Sequence, residues 1–290
     1  MELTRPSVIK DIMARHGFRF SKSLGQNFLI EKSVLERIVA GAEITETDDV
    51  LEIGPGFGTL TRYLAAHSRQ VVSVEIDGSL MPVLAETLAD LPNTAVVHGD
   101  VLQVDLKALI AERFEGRAPK MVANLPYYVT TPIIMRFLEE EISVTDLVVM
   151  VQREVADRMA ASPGGKDYGA LSVAVQYFCR PEILFKVSTG CFMPAPTVES
   201  AVIRLKVLPE PAVQVVSRRL FFAAVRGAFG KRRKTLLNAL SDSELALSKD
   251  QVRSVLTTAA IDPIRRAETL TIDEFACLAN AVAAMKGVTA

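Results

Sequence analysis

Apolar residues along the first two thirds of the chain fall into two alternating rhythms. Short aliphatic runs at residues 50–53, 70–74, 94–97, 121–123 and 147–151 read as buried strands. Residues 59–66, 80–89, 106–113 and 132–139 instead repeat their apolar positions every three to four residues, the spacing of a helix with one buried face. Strands that take turns with helices predict a doubly wound, mostly parallel sheet covered on both faces. Two short helices should precede it, one from Pro6 to about Phe20 and one from an N-cap at Ser33 to a stop at Gly41.

After Ala170 the rhythm changes. Residues 183–187 and 201–207 are strand-like and separated by a proline-rich loop, so they are expected to pair as an antiparallel hairpin at one edge of a mixed, seven-stranded sheet. Pro209-Glu210-Pro211 then punctuates the chain, and the remainder is rich in Leu, Ala, Arg and Lys at helical spacing. The expected organisation is an α/β domain over residues 1–209 and a small all-helical domain over residues 210–290.

With 49% hydrophobic residues, the 290-residue chain can bury a substantial core. Its 33 Lys and Arg nearly cancel its 34 Asp and Glu, so a nucleic-acid partner has to be held by a local patch. The stretch from Arg226 through Lys231, Arg232, Arg233 and Lys234 offers one, with five positive side chains at a helix start. Such a run is ordinarily a solvated face; beside a domain that acts on nucleic-acid bases it would read as a clamp on RNA phosphates. Cys179, Cys191 and Cys277 are an odd number without metal-ligand spacing, which reads as small buried thiols in a reducing cytosol and no metal site. No apolar stretch is long enough for a membrane helix, so the expectation is a soluble cytoplasmic protein without a membrane partner.

The chemistry-bearing residues cluster where strands end. Val50-Leu51-Glu52-Ile53-Gly54-Pro55-Gly56-Phe57-Gly58 is a strand followed by a glycine turn, but the spacing is not that of the dinucleotide fingerprint and Pro55 suits a pyrophosphate poorly. Glu75 ends the next strand, where a carboxylate accepts the hydroxyls of a ribose, and Asp100 follows the third, where it can accept from an adenine amino group. Singly, each of Glu52, Glu75 and Asp100 could be a solvated acid or a helix cap. Together with Gly54 and Gly56 they describe S-adenosyl-L-methionine better than NAD. Asn124-Leu125-Pro126-Tyr127 lies at the carboxyl end of the fourth strand, and an amide, a stiff backbone and an aromatic ring in sequence suit a flat, amino-bearing base.

These stretches, with Ser23-Leu24-Gly25-Gln26-Asn27-Phe28-Leu29 and Phe192-Met193-Pro194-Ala195-Pro196-Thr197-Val198-Glu199-Ser200, resemble the bacterial small-subunit ribosomal RNA adenine N6-dimethyltransferases in order through roughly the first 240 residues. The resemblance implies a Rossmann-like class I methyltransferase fold. It also implies methyl transfer from S-adenosyl-L-methionine to two adjacent adenosines near the 3′ end of 16S rRNA in immature 30S subunits. Cofactor contacts are implied for Asn27, Leu29, Gly54, Glu75, Asp100 and Asn124. Some relatives carry asparagine where this chain has Tyr128.

The residues themselves suggest a mechanism. An exocyclic adenine amine is a poor nucleophile because its lone pair is delocalised into the ring. The Asn124 side-chain oxygen and the Pro126 carbonyl are each expected to accept one N6 hydrogen and so free that lone pair, with no strong base required. Tyr127 and Phe192 are expected to sandwich the base; for Phe192 the plainer alternative is a loop hydrophobe on the core. Two rival readings are a ribosome-assembly checkpoint factor with secondary catalysis and a large-subunit rRNA adenine N6-methyltransferase.

Overall fold

A computed structural model describes every residue except Lys22, Ser23, Arg232 and Ala290. In chain order the elements are α1 (Pro6–His16), β1 (Phe28–Leu29), α2 (Lys32–Gly41), β2 (Asp49–Ile53), α3 (Thr59–Ala65), β3 (Gln70–Glu75), α4 (Met81–Thr87) and β4 (Thr94–His98). Then come α5 (Leu106–Arg113), β5 (Lys120–Asn124), α6 (Thr130–Glu139), β6 (Asp146–Gln152), α7 (Arg153–Met159), α8 (Ala170–Phe178) and β7 (Cys179–Val187). The chain finishes with β8 (Phe192–Met193), β9 (Ser200–Val207), α9 (Arg218–Phe229), α10 (Leu236–Ser241), α11 (Lys249–Thr258) and α12 (Ile272–Met285).

Local chemistry accounts for the helix ends. Gly17 stops α1 earlier than the expected Phe20 because it takes a left-handed conformation (φ 63°) and turns its N–H back onto Met13 and Ala14. The expected cap of α2 at Ser33 is instead Glu31, whose carboxylate accepts the Ser33 N–H at 3.2 Å.

Seven strands form one sheet in the order β4-β3-β2-β5-β6-β9-β7. The pairings β2–β3, β3–β4, β2–β5 and β5–β6 are parallel, and β9 runs antiparallel to β6. From β2 the chain adds β3 and β4 on one side, then returns to add β5 and β6 on the other. The carboxyl ends of β2 and β5 therefore flank the point where strand order reverses, the crevice in which open α/β sheets bind ligands. Register aligns those ends: Ile53 lies opposite both Val74 and Ala123, and Asn124 opposite Met150.

A second, two-stranded ribbon pairs β1 with β8, setting Phe28 against Met193 and Leu29 against Phe192. One interior cluster gathers Val34, Leu35, Ile38, Val50, Leu64, Val71, Val122 and Val148 on one face of the large sheet. Another joins Ile9, Ile12, Phe18, Phe28, Phe57 and Leu84.

The chain divides into two compact units, Met1–Ala156 with Glu182–Val207, and Asp157–Pro181 with Leu208–Ala290. The second takes in residues 157–181, which the sequence pattern assigns to the sheet domain. Tyr177 and Phe178 explain why: their rings pack on Phe221 and Phe222 of α9 at centroid distances of 4.9–5.8 Å. Among the cysteines Cys179 is buried as expected, whereas Cys277 is exposed. Among the described residues no helix is long and apolar enough to cross a membrane, and no group of His, Cys, Asp and Glu is arranged to hold a metal.

Candidate active site

A cleft of about 830 Å³, counting the space at its open mouth, lies at the switch point of the sheet. Its walls come from segments that parallel packing brings side by side: Gly54 and Gly56 after β2, Glu75 and Ile76 after β3, Gly99 and Asp100 after β4, and Asn124 to Val129 after β5. Leu24 to Phe28 of the N-terminal loop complete it.

The two glycines have different reasons. Gly54 (φ +70°) has nothing within 4 Å of where a Cβ would stand, so its backbone is bare toward the cleft. Gly56 (φ +60°) lies under the Phe28 ring, which a Cβ would meet at 2.6 Å. Phe28 is thus a cleft residue that the sequence motifs did not single out, although its place directly after Asn27 was the available signal.

Among the described residues two carboxylates line this cleft and no Lys, Arg or His does. That lining disfavours a diphosphate and suits a cation. Glu75 Oε1 accepts the Asp77 N–H at 2.8 Å and Oε2 the Gly56 N–H at 3.3 Å, leaving lone pairs on both oxygens for a diol. Burial pushes its carboxyl above the usual range, against the pull of those N–H groups. Asp100 Oδ1 accepts the Leu102 N–H at 2.9 Å, and Oδ2 has no donor among the described residues. Glu52, read from sequence as a third strand-end acid, is not in the cleft. It sits inside β2 opposite Ser73 and is 1% exposed, with Oε2 accepting from Thr61 Oγ1 at 2.6 Å and from Ser73 Oγ at 2.7 Å. Burial, with the Glu75 charge adding to it, pushes Glu52 up to about 7.

At the end of β5, Asn124 Nδ2 donates to the Asn27 carbonyl at 2.9 Å. That bond fixes the amide so that Oδ1, which has no donor among the described residues, is left as an acceptor in the cleft wall. The Pro126 carbonyl, expected to be the second acceptor, is already taken by the Val129 N–H at 3.2 Å and the Thr130 hydroxyl at 3.0 Å, because it closes the first turn leading into α6. The neighbouring Leu125 carbonyl has no donor among the described residues, and Leu125 lines the cleft. Tyr127 lines the cleft too, its hydroxyl 2.7 Å from Ser200 Oγ. Tyr128, 59% exposed, stands at the same wall.

Phe192 and Leu29 do not reach the cleft. The β1–β8 register pairs them, and both side chains enter the interior cluster at 4% exposed each. Alternation along a strand accounts for the outcome, since Phe28 points one way and Leu29 the other. Phe192→Leu is therefore expected to cost roughly 1–3 kcal/mol of stability through the partial cavity it leaves and to leave transfer rates within a few-fold of the parent. Urea denaturation with a methyl-transfer assay checks both, and loss of turnover in a folded variant would return Phe192 to the base site.

The basic stretch belongs to the second unit. Arg226 pairs with Glu244 at 2.8 Å and Lys231 with Asp242 at 2.7 Å, so two of the five charges are partly answered within the fold. Arg233 and Lys234 are exposed, and Arg232 lies outside the described residues.

Carboxylates for a cationic donor, set beside acceptors for an amine on the carboxyl edge of a parallel sheet, are the equipment of a Rossmann-like, S-adenosylmethionine-dependent methyltransferase. The chain belongs to the ribosomal RNA adenine dimethylase family, whose model matches residues 17–283. It is 59% identical over 283 residues to the ribosomal RNA small subunit methyltransferase A of Alkaliphilus metalliredigens, covering 98% of this chain and 99% of that one. The protein of the same name from Clostridioides difficile is 51% identical over 280 residues, covering 97% and 96%. Among solved structures, the 23S rRNA methyltransferase ErmE superposes with a TM-score of 0.67 at 27% identity over 88% of this chain and 99% of that one. A dimethyladenosine transferase from Plasmodium falciparum shares the fold, with a TM-score of 0.72 at 23% identity over 90% and 99%.

Proposed function

We propose that this enzyme dimethylates N6 of two adjacent adenosines near the 3′ end of small-subunit rRNA, acting on immature 30S subunits in the cytoplasm. The observation that carries the reading is the orientation of Asn124. Its nitrogen is committed to the Asn27 carbonyl, so its oxygen is left to accept from a substrate amine. The Leu125 carbonyl, with no donor of its own among the described residues, serves as the second acceptor in place of Pro126.

Bound S-adenosylmethionine supplies an electrophilic methyl group on a sulfonium sulfur. Asn124 Oδ1 and the Leu125 carbonyl draw one N6 hydrogen each, which localises the amine lone pair so that it can attack. Tyr127 stacks on the extruded base, contributing on the order of 1–3 kcal/mol toward the few kcal/mol needed to unstack it. Glu75 accepts the ribose hydroxyls, Asp100 accepts from the cofactor's adenine amino group, and the bare backbone at Gly54 allows close approach. Asn27 contributes from the N-terminal loop, and Gly56 supports that wall by making room for Phe28.

In this reading residues 1–209 carry the cofactor and base sites, and residues 210–290 hold RNA. Arg233 and Lys234 contribute most, because Arg226 and Lys231 have acidic partners. Replacing Arg233 and Lys234 with alanine is expected to flatten the slope of log affinity against log salt by roughly 0.7–0.9 for each phosphate no longer neutralised. Arg226→Ala is expected to change it less. Filter binding to small-subunit rRNA across a salt series reads both, and unchanged slopes would move the RNA track elsewhere.

The deciding experiment incubates purified protein with methyl-labelled S-adenosylmethionine and, in parallel, under-methylated small subunits and unmodified large subunits. Label should appear as N6-dimethyladenosine at two neighbouring positions. Label only in large subunits, or none, overturns the proposal.

A further inference from the structure

We propose that Ser200 is a positioning residue for methyl transfer, holding the Tyr127 ring at the place in the cleft wall where the target base stacks. This rests on the reading of Tyr127 as a base-stacking wall. The segments concerned are far apart in sequence: Tyr127 follows β5, and Ser200 opens β9 opposite Gln152.

Tyr127 is pinned at both ends. On the backbone side, the Pro126 carbonyl is held by the Val129 N–H and the Thr130 hydroxyl, which fixes the turn from which the ring springs. At the far tip, the phenol oxygen lies 2.7 Å from Ser200 Oγ, and Ser200 is 0% exposed. A tyrosine side chain has two main torsions, and its phenol oxygen lies on the axis of the second, so a fixed root and a held oxygen set the first torsion and with it where the ring stands in the cleft wall. The hydroxyl pair is also self-sufficient, each group able to donate to the other. Burial raises the Tyr127 phenol above its ordinary range, so it stays protonated and able to hold the bond.

Ser200 ends the Phe-x-Pro-x-Pro-x-Val-x-Ser stretch, whose first residue is turned into the interior. Its last residue links that stretch to the cleft through Tyr127.

The test combines Ser200→Ala, Tyr127→Phe, the double variant and Ser200→Thr. Ser200→Ala and Tyr127→Phe should each lower kcat on small subunits about tenfold, with S-adenosylmethionine affinity within about twofold. The double variant should be no worse than either single one, since both cut the same bond. Ser200→Thr, which keeps a hydroxyl, should restore most of the rate. Unchanged kcat in folded Ser200→Ala, or a double variant in which the two losses multiply, overturns the proposal. NMR of tyrosines labelled at Cα and Cβ, five in the chain, reads the tether without chemistry. The Tyr127 Hα–Hβ couplings, assigned by their loss in Tyr127→Phe, should report one χ1 rotamer in the parent and averaging between rotamers in Ser200→Ala. Identical couplings in both sink the tether, whereas a parent that methylates no adenosine sinks only the stacking role.

Discussion

Asn124→Ala is expected to lower single-turnover methyl transfer by about 10²- to 10³-fold, the cost of losing one preorganised hydrogen-bonding group aimed at the reacting centre. Cofactor affinity, measured by calorimetry, is expected to change far less, because Glu75 and Asp100 remain in place. Asn124→Asp is the sharper experiment. It keeps an acceptor but sets a carboxylate oxygen where Nδ2 now donates to the Asn27 carbonyl at 2.9 Å. Two oxygens facing each other at that distance repel, so the residue should turn and the N-terminal loop lose its tie. Aspartate is therefore expected to fail nearly as badly as alanine, and an active Asn124→Asp enzyme would show that the amide nitrogen has no part in orientation.

Stability should fall with pH through the window set by Glu52. In the unfolded chain this carboxyl ionises near its ordinary value of 4.5, whereas in the fold burial pushes it up to about 7. Between those values the folded protein keeps a proton the unfolded chain has lost. The stability conferred by neutral Glu52 is thus complete below about 4.5 and lost as pH rises through about 7. At 1.36 kcal/mol per pH unit, the window amounts to about 3 kcal/mol. Glu52→Gln removes this dependence while keeping an acceptor for Thr61 and Ser73. Urea denaturation at pH 5 and pH 8 should show the parent losing about 3 kcal/mol more than the variant. Parallel losses in the two proteins would refute a neutral Glu52.

The sheet was legible because its signals are local and repeated. Aliphatic runs at strand spacing separated by helical faces have few alternative packings, and all seven strands of the large sheet overlap the runs that the pattern marked, the two of the edge pair included. Missed elements were short or conditional. The β1–β8 ribbon has two residues in each strand, too few to show an alternation, and it pairs segments more than 160 residues apart. Helix α8 was missed because its apolar face is read against α9, not against the sheet.

The site divides the same way. Sequence order alone determined that Gly54, Glu75, Asp100 and Asn124 meet, since parallel strands deliver every carboxyl end to one edge whatever the side chains do. Only the tertiary structure decided which groups there are free to act. The Pro126 carbonyl is spent on α6 while that of Leu125 has no donor among the described residues, Phe192 faces inward, Glu52 is buried against Thr61 and Ser73, and Arg226 and Lys231 meet acids from another segment. Each of these depends on the direction of a bond or the arrival of a distant partner, and spacing along a chain encodes neither.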